Sequence, residues 1–388
     1  MKFLKSSKAF QIIVATGATY LLLVAFFGKE NFLPRIYTAG GLRENRNLVS
    51  DKVLRNIQNE TLGFEHIYAI GLPERTDKRD FLSLAAALSD IKLEWIDGVK
   101  TSSILQKAMP NGYDQQSSIT TFMASWRAHM NALLSVLHNS FSTALILEDD
   151  VDWDVTLKQQ LTEFARGLHE LRNDDNVSKN APYGTDWDLL WIGSCLTAPS
   201  QNETRFYVIP QDPTVASARQ RQGAAGIPDL WKEEFPEDST RYVYHAESVC
   251  CTFGYAVTKR GAEKIIAALS VSHIETPIDN ALSDLCAGTN GRRRLDCYST
   301  SPGLIGTFKT SGSSSRDSDI NSKENGDYTF HEEHSWNMVY GIKKNIHRLV
   351  AGESTVHSQW QGEDLEPWQQ EEISPEDFKY PGGYLVEM

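Results

Sequence analysis

The chain has 388 residues, with 38 Lys and Arg against 51 Asp and Glu and a formal net charge of −13. Apolar residues at 40% and charged residues at 23% are ordinary globular composition, which excludes wholesale disorder and collagen-like structure. The length suits one large domain or two average ones, and the acidity argues against a general nucleic-acid binder. The charge is uneven: from Ala351 onward there are nine acids and one base, Lys379.

The first predicted element is a membrane anchor. Ala9 to Phe27 is a run of 19 uncharged residues, about 28 Å long as a helix and suited to a thin bilayer. Lys2, Lys5 and Lys8 precede it. The positive-inside rule then puts residues 1–8 in the cytosol and the rest in the lumen of the endoplasmic reticulum or Golgi, a single-pass type II arrangement. A cleaved signal peptide is the rival reading, but no small-x-small site follows Phe27. A lumen permits disulfides. Among the five cysteines, Cys286 and Cys297 bracket the basic run Arg292-Arg293-Arg294 and are expected to pair. Cys195 has Cys250 or Cys251 as partner, with one thiol left over; the bland alternative is that all five are buried thiols.

Residues 28–62 read as a polar stem, 63–350 as the folded domain and 351–388 as an acidic tail, either wrapped on the domain or disordered. Within the domain, short apolar runs predict strands at His66–Leu72, Leu93–Val99, Thr143–Leu147, Trp187–Gly193 and Cys251–Thr258. Helical spacing covers Asp77–Leu88, Thr120–Leu137, Val155–Leu171 and Lys259–Ala268. Strands alternating with helices predict an α/β fold with a mostly parallel sheet. Gly312 to Asn325 is Ser-rich and charged and reads as a loop.

The chemistry concentrates where one strand ends. Leu145-Ile-Leu-Glu148-Asp149-Asp150-Val151-Asp152-Trp153-Asp154 puts five acids just past the Thr143–Leu147 run. Open α/β sheets bind ligands at the carboxyl ends of strands. Clustered carboxylates there call for a compensating cation, and a hard divalent ion takes one or two of them plus substrate phosphates. Asp150-x-Asp152 has the D-x-D spacing with which luminal sugar-nucleotide transferases hold Mn²⁺ on a diphosphate. Its bland alternative is an acidic turn capping the next helix.

In their order these motifs resemble glycosyltransferase family 25, which includes procollagen and lipooligosaccharide galactosyltransferases, with a texture nearest its fungal members. The resemblance runs from about His66 to Ile320. It rests on Ile67-Tyr-Ala-Ile-Gly-Leu-Pro-Glu-Arg75-Thr-Asp77-Lys-Arg79, His129, Leu147-Glu148-Asp149-Asp150, Gly254-Tyr255-Ala256, Pro277-Ile278-Asp279 and Ser318-Asp319-Ile320.

The resemblance implies a GT-A type Rossmann-like domain and inverting transfer of a sugar, often galactose, from a UDP-sugar to a glycan or glycoprotein acceptor. It also implies Mn²⁺ or another divalent cation. Asp150 and Asp152 are the expected metal ligands. Arg75, Arg79, His129, Glu148 and Asp149 are the expected donor-site residues, although Arg75 and Arg79 read equally as surface arginines and His129 as a structural histidine. Asp279 is favoured as the general base, with helix capping its competing role, and Asp319 stands next. Two other classes compete: a metal-dependent phosphohydrolase, and a non-catalytic lectin-like or scaffold protein that keeps the fold.

Overall fold

The computed structural model describes residues 49–173, 180–200, 202–221, 226–320 and 328–388. The expected anchor lies outside them; among the described residues no helix is long and apolar enough to cross a membrane.

The sheet strands are β1 (His66–Gly71), β2 (Glu94–Asp97), β3 (Thr143–Glu148), β5 (Leu189–Gly193), β7 (Arg205–Ile209), β8 (Arg241–Cys250), β9 (Gly254–Thr258), β10 (Cys297–Ser301) and β12 (Tyr384–Glu387). Their order across the sheet is β12-β7-β8-β10-β5-β9-β3-β1-β2, and β6 (Leu196–Pro199) pairs β8 off this path. A smaller ladder pairs β4 (Val151–Trp153) with β11 (Ile305–Lys309). The helices of eight residues or more among the described residues are α1 (Thr76–Leu88), α2 (Thr121–His138), α3 (Leu157–Arg172), α4 (Lys259–Ile266), α5 (Ile278–Ala287) and α6 (Ile342–Val350).

Strand direction refines the expected sheet. β1–β2, β1–β3 and β5–β10 are parallel. β9 runs antiparallel between β3 and β5, so these two still point the same way. The far edge, from β10 through β8 and β7 to β12, is antiparallel throughout. The sheet is therefore mixed: β10, β5, β3, β1 and β2 point one way, and β9 runs against them in their midst.

Alternation along the strands explains why their apolar runs are unbroken. Ile67, Ala69, Leu145 and Leu147 join a core with Phe81 and Leu82 of α1 and Leu161, Phe164 and Leu168 of α3. Tyr68, Ile70, Ala144 and Ile146 join a second core with Trp126, Met130 and Leu133 of α2, Ile265 of α4 and Leu282 of α5. A strand covered on both faces needs apolar side chains at every position.

Two boundaries move. Val49, Val53, Leu54, Ile57 and Leu62 are buried in the first core, so the described end of the expected stem is part of the domain. The acidic tail wraps the domain and closes as β12 against β7. Arg219 binds Glu366 and reaches Asp364 of that tail, and the buried Arg241 meets both Asp212 and Tyr380. Both expected pairs of cysteines form: Cys286–Cys297, and Cys195 with Cys251. Cys250 is the free thiol.

Candidate active site

A cleft of about 390 Å³ opens at the carboxyl ends of β1 and β3. Ile70, Gly71 and Leu72 form its floor together with Glu148, Asp149 and Asp150. One wall is the segment from Gly98 to Ser102. The opposite wall is α2, which presents Thr121, Ala124, Ser125 and Ala128. These sit at helical spacing on one face, and their small side chains leave room for a ligand. Ser318, Asp319 and Ile320 form the rim.

β11 pins the acidic turn: Phe308 N donates to the Asp150 carbonyl at 2.7 Å. Gly71 must be small, because a Cβ there would lie 2.7 Å from Asp149 Cβ and 2.8 Å from its Oδ2. Lys78, in the first turn of α1, points into the carboxylates. Its Nζ lies 2.9 Å from Asp149, 3.5 Å from Asp150 and 3.3 Å from Asp319. Burial alone would lower the Lys78 pKa, but Asp150, Asp149 and Asp319 together hold it above the ordinary value. Asp149 is pushed up to about 6, chiefly by burial and partly by Asp150, while Lys78 pulls the other way. Lys309 Nζ also lies 3.9 Å from Asp150.

Glu148, Asp149, Asp150, His129 and Asp319 all line the cleft. His129 is buried, with Nδ1 2.9 Å from the Tyr255 hydroxyl and Nε2 3.7 Å from Glu148. Thr252 Oγ1 donates to Glu148. Arg75 borders a smaller hollow beside the cleft. It grips Asp77 with two nitrogens at 3.0 Å and also binds Asp319 and the Arg316 carbonyl, fastening the rim to α1.

Besides Arg75, three expected site residues do not line the cleft. Asp152, the second expected metal ligand, lies away from the cleft. It is fully buried, its oxygens accept from Ser335 Oγ and from the N–H groups of Trp153 and Lys343, and it sits at the N-terminus of α6. Burial pushes its carboxyl up to about 7 despite these donors. Arg79 is a brace: its Nη2 bonds the Gly71 carbonyl at 2.7 Å and Asp97 at 2.6 Å, and its guanidinium lies 4.6 Å from the centre of the Trp95 ring. Asp279, in the first turn of α5, accepts from Cys251 N at 3.0 Å, Cys250 Sγ at 3.3 Å and Asn280 N at 2.9 Å. Thr252, the residue after Cys251, donates to Glu148 and so joins this segment to the cleft.

The D-x-D pair is thus split, with Asp150 on the cleft and Asp152 beneath it. Among the described residues no three carboxylate or imidazole ligand atoms lie within 4.8 Å of one another; the one cluster that close is Cys195, Cys250 and Cys251, two of them in a disulfide. Asp149 and Asp150 still supply the hard oxygen donors a divalent cation takes, few enough that a bound ion would share its coordination with substrate. Lys78 carries no motif of its own in the sequence; its one signal is its place between Arg75 and Arg79 in the first turn of the helix that follows β1.

No family model matches the chain. Among solved structures, a mannose-1-phosphate geranyltransferase from Thermus thermophilus is similar over 60% of this chain and 72% of its own, at 10% identity and a TM-score of 0.21. That likeness is too slight to bear on fold or function.

Proposed function

We propose that this protein transfers a sugar from a UDP-sugar, with galactose the first to test, to a glycan or glycoprotein acceptor. The observation that carries the reading is the acidic turn Glu148–Asp150, set at the carboxyl end of a central strand and opening onto a ligand-sized cleft. The small-residue face of α2 would leave space for a nucleoside. Lys78 would neutralise phosphate oxygens. Asp150, with Asp149, would hold Mn²⁺ or another divalent cation, which when bound supplies positive charge to the leaving diphosphate.

Inverting transfer also needs a base to take the acceptor hydroxyl proton. We assign that role to Asp319, which lines the cleft with its side chain 36% exposed. Its present partners, Arg75 and Lys78, are the cations an incoming diphosphate would claim. The two disulfides favour a luminal site of action, with Ala9–Phe27 as the anchor. The test is a panel of UDP-sugars with and without Mn²⁺, followed by UDP release. Saturable, metal-dependent release from one donor is expected. No binding of UDP or any UDP-sugar with any divalent ion would overturn the reading.

A further inference from the structure

A second cleft, of about 720 Å³, lies between α5 and the π-helical turn Ala267–Ser272 that extends α4. It shares no lining residue with the first. Its basic wall is Lys264 of α4 together with Arg292-Arg293-Arg294, which lie on a connection whose two ends are tied by Cys286–Cys297.

Two of these arginines are held by neutral acceptors. Arg292 donates to the Ala268 carbonyl at 3.3 Å and to the His273 carbonyl at 2.8 Å. Arg294 donates to the Cys286 carbonyl at 3.1 Å and to His245 Nδ1 at 3.1 Å. Arg293 is exposed and makes no polar contact among the described residues. Lys264, by contrast, is paired with Asp188. Each arginine has five N–H donors, so several remain for a ligand, and among the described residues no ion pair compensates their charge. In a chain of net charge −13, three such guanidiniums in one concavity, two of them fixed in place, form a built anion site. The cleft also holds Glu275, 3.6 Å from His273, and Asp284, which accepts from Thr289 and Asn290. Those carboxylates would repel a purely anionic ligand but accept hydrogen bonds from hydroxyls.

We infer that this cleft binds a saccharide bearing an oxyanion, such as a sulfate or carboxylate. The guanidiniums take the anion, and Asp284 and Glu275 take neighbouring hydroxyls. The saccharide part rests on the glycosyltransferase reading; the anion site stands on the arginines alone.

The experiment is calorimetry on the full chain in detergent, with no nucleotide present. The probes are a sulfated disaccharide, the same disaccharide desulfated, and inorganic sulfate. The sulfated disaccharide should bind at least roughly tenfold more tightly than either of the others. Arg293→Glu should weaken it by roughly tenfold or more, the worth of one charge-assisted contact. Its unfolding midpoint should not change, since this side chain has no partner to lose among the described residues. Equal affinity for the desulfated sugar, or an unaltered Arg293→Glu, overturns the inference; inorganic sulfate binding as tightly as the disaccharide overturns the saccharide part. UDP with Mn²⁺ is titrated into the same sample. UDP binding without disaccharide binding sinks this inference alone, and the reverse sinks the transferase reading alone.

Discussion

Lys78 Nζ lies 2.9 Å from Asp149 Oδ1, and both side chains are nearly buried, at 11% and 12% exposure. Lys78→Met would leave Asp149 buried without its cation, and burial would then raise its carboxyl beyond about 6. A carboxyl whose folded pKa lies above its unfolded value favours the folded state most at low pH, and that contribution is lost as pH rises through the folded pKa. Lys78→Met should therefore cost about 2–4 kcal/mol at pH 8 and clearly less at pH 5. Urea unfolding at both pH values measures this, and an equal loss at each would show that Lys78 does not compensate Asp149.

The split of the D-x-D pair gives a contrast that spacing alone would not. Asp150→Asn should lower Mn²⁺-dependent UDP affinity at least roughly tenfold with the fold unchanged. Asp152→Asn should leave that affinity alone. It should instead cost about 1–3 kcal/mol, because an amide group would face the Ser335 hydroxyl and the Lys343 N–H. Calorimetry with UDP and Mn²⁺ on both variants decides, and equal loss of affinity would restore Asp152 as a ligand.

The same contrast marks what the sequence could reveal. Runs covered on both faces, such as Thr143–Leu147, were legible because they are almost wholly apolar, and β3 and α1 to α3 fall within about two residues of expectation. β7 and β8 were not: Arg205-Phe-Tyr-Val-Ile and Arg241-Tyr-Val-Tyr-His carry charged or hydroxylated ends, and their antiparallel place depends on partners distant in the chain. The acidic turn was legible as a cluster. Which carboxylate faces the cleft was not, because that depends on how β4 pairs with β11 and where α6 begins. Asp279 reads equally as a base or a cap from Pro277-Ile278-Asp279. Its true partners, Cys250 and Cys251, lie 28 to 29 residues away.

The two disulfides should differ in weight. Cys195–Cys251 closes a separation of 56 residues and Cys286–Cys297 one of 11. Chain-entropy arguments give about 4 kcal/mol for the first and about 3 kcal/mol for the second. Cys195→Ser/Cys251→Ser should thus be the less stable double variant in urea. Cys250→Ser should stay within about 1 kcal/mol of the parent, since a hydroxyl can replace the thiol as donor to Asp279. A reversed order would mean that the longer bridge strains the loop it closes.

The base assignment turns on Asp319 against Asp279. Asp319→Asn keeps the shape of the rim but cannot take a proton. UDP release in the presence of an acceptor sugar should fall by roughly 10²–10⁴-fold. UDP affinity should change by only a few-fold. Stability should move by less than about 1 kcal/mol, because the Asp319 ion pairs are partly exposed. Asp279 should behave as a structural residue. Asp279→Ala removes the acceptor of Cys251 N–H and should cost about 1–3 kcal/mol. In Asp279→Asn the amide oxygen can still accept that N–H, so both stability and turnover should be close to the parent. Near-normal turnover by Asp319→Asn, together with a collapse in Asp279→Asn at unchanged stability, would return the base to Asp279. That result would also require the Cys250–Thr252 segment to move when donor binds, since in this structure the Asp279 carboxylate is turned onto that segment and is absent from the lining of the cleft.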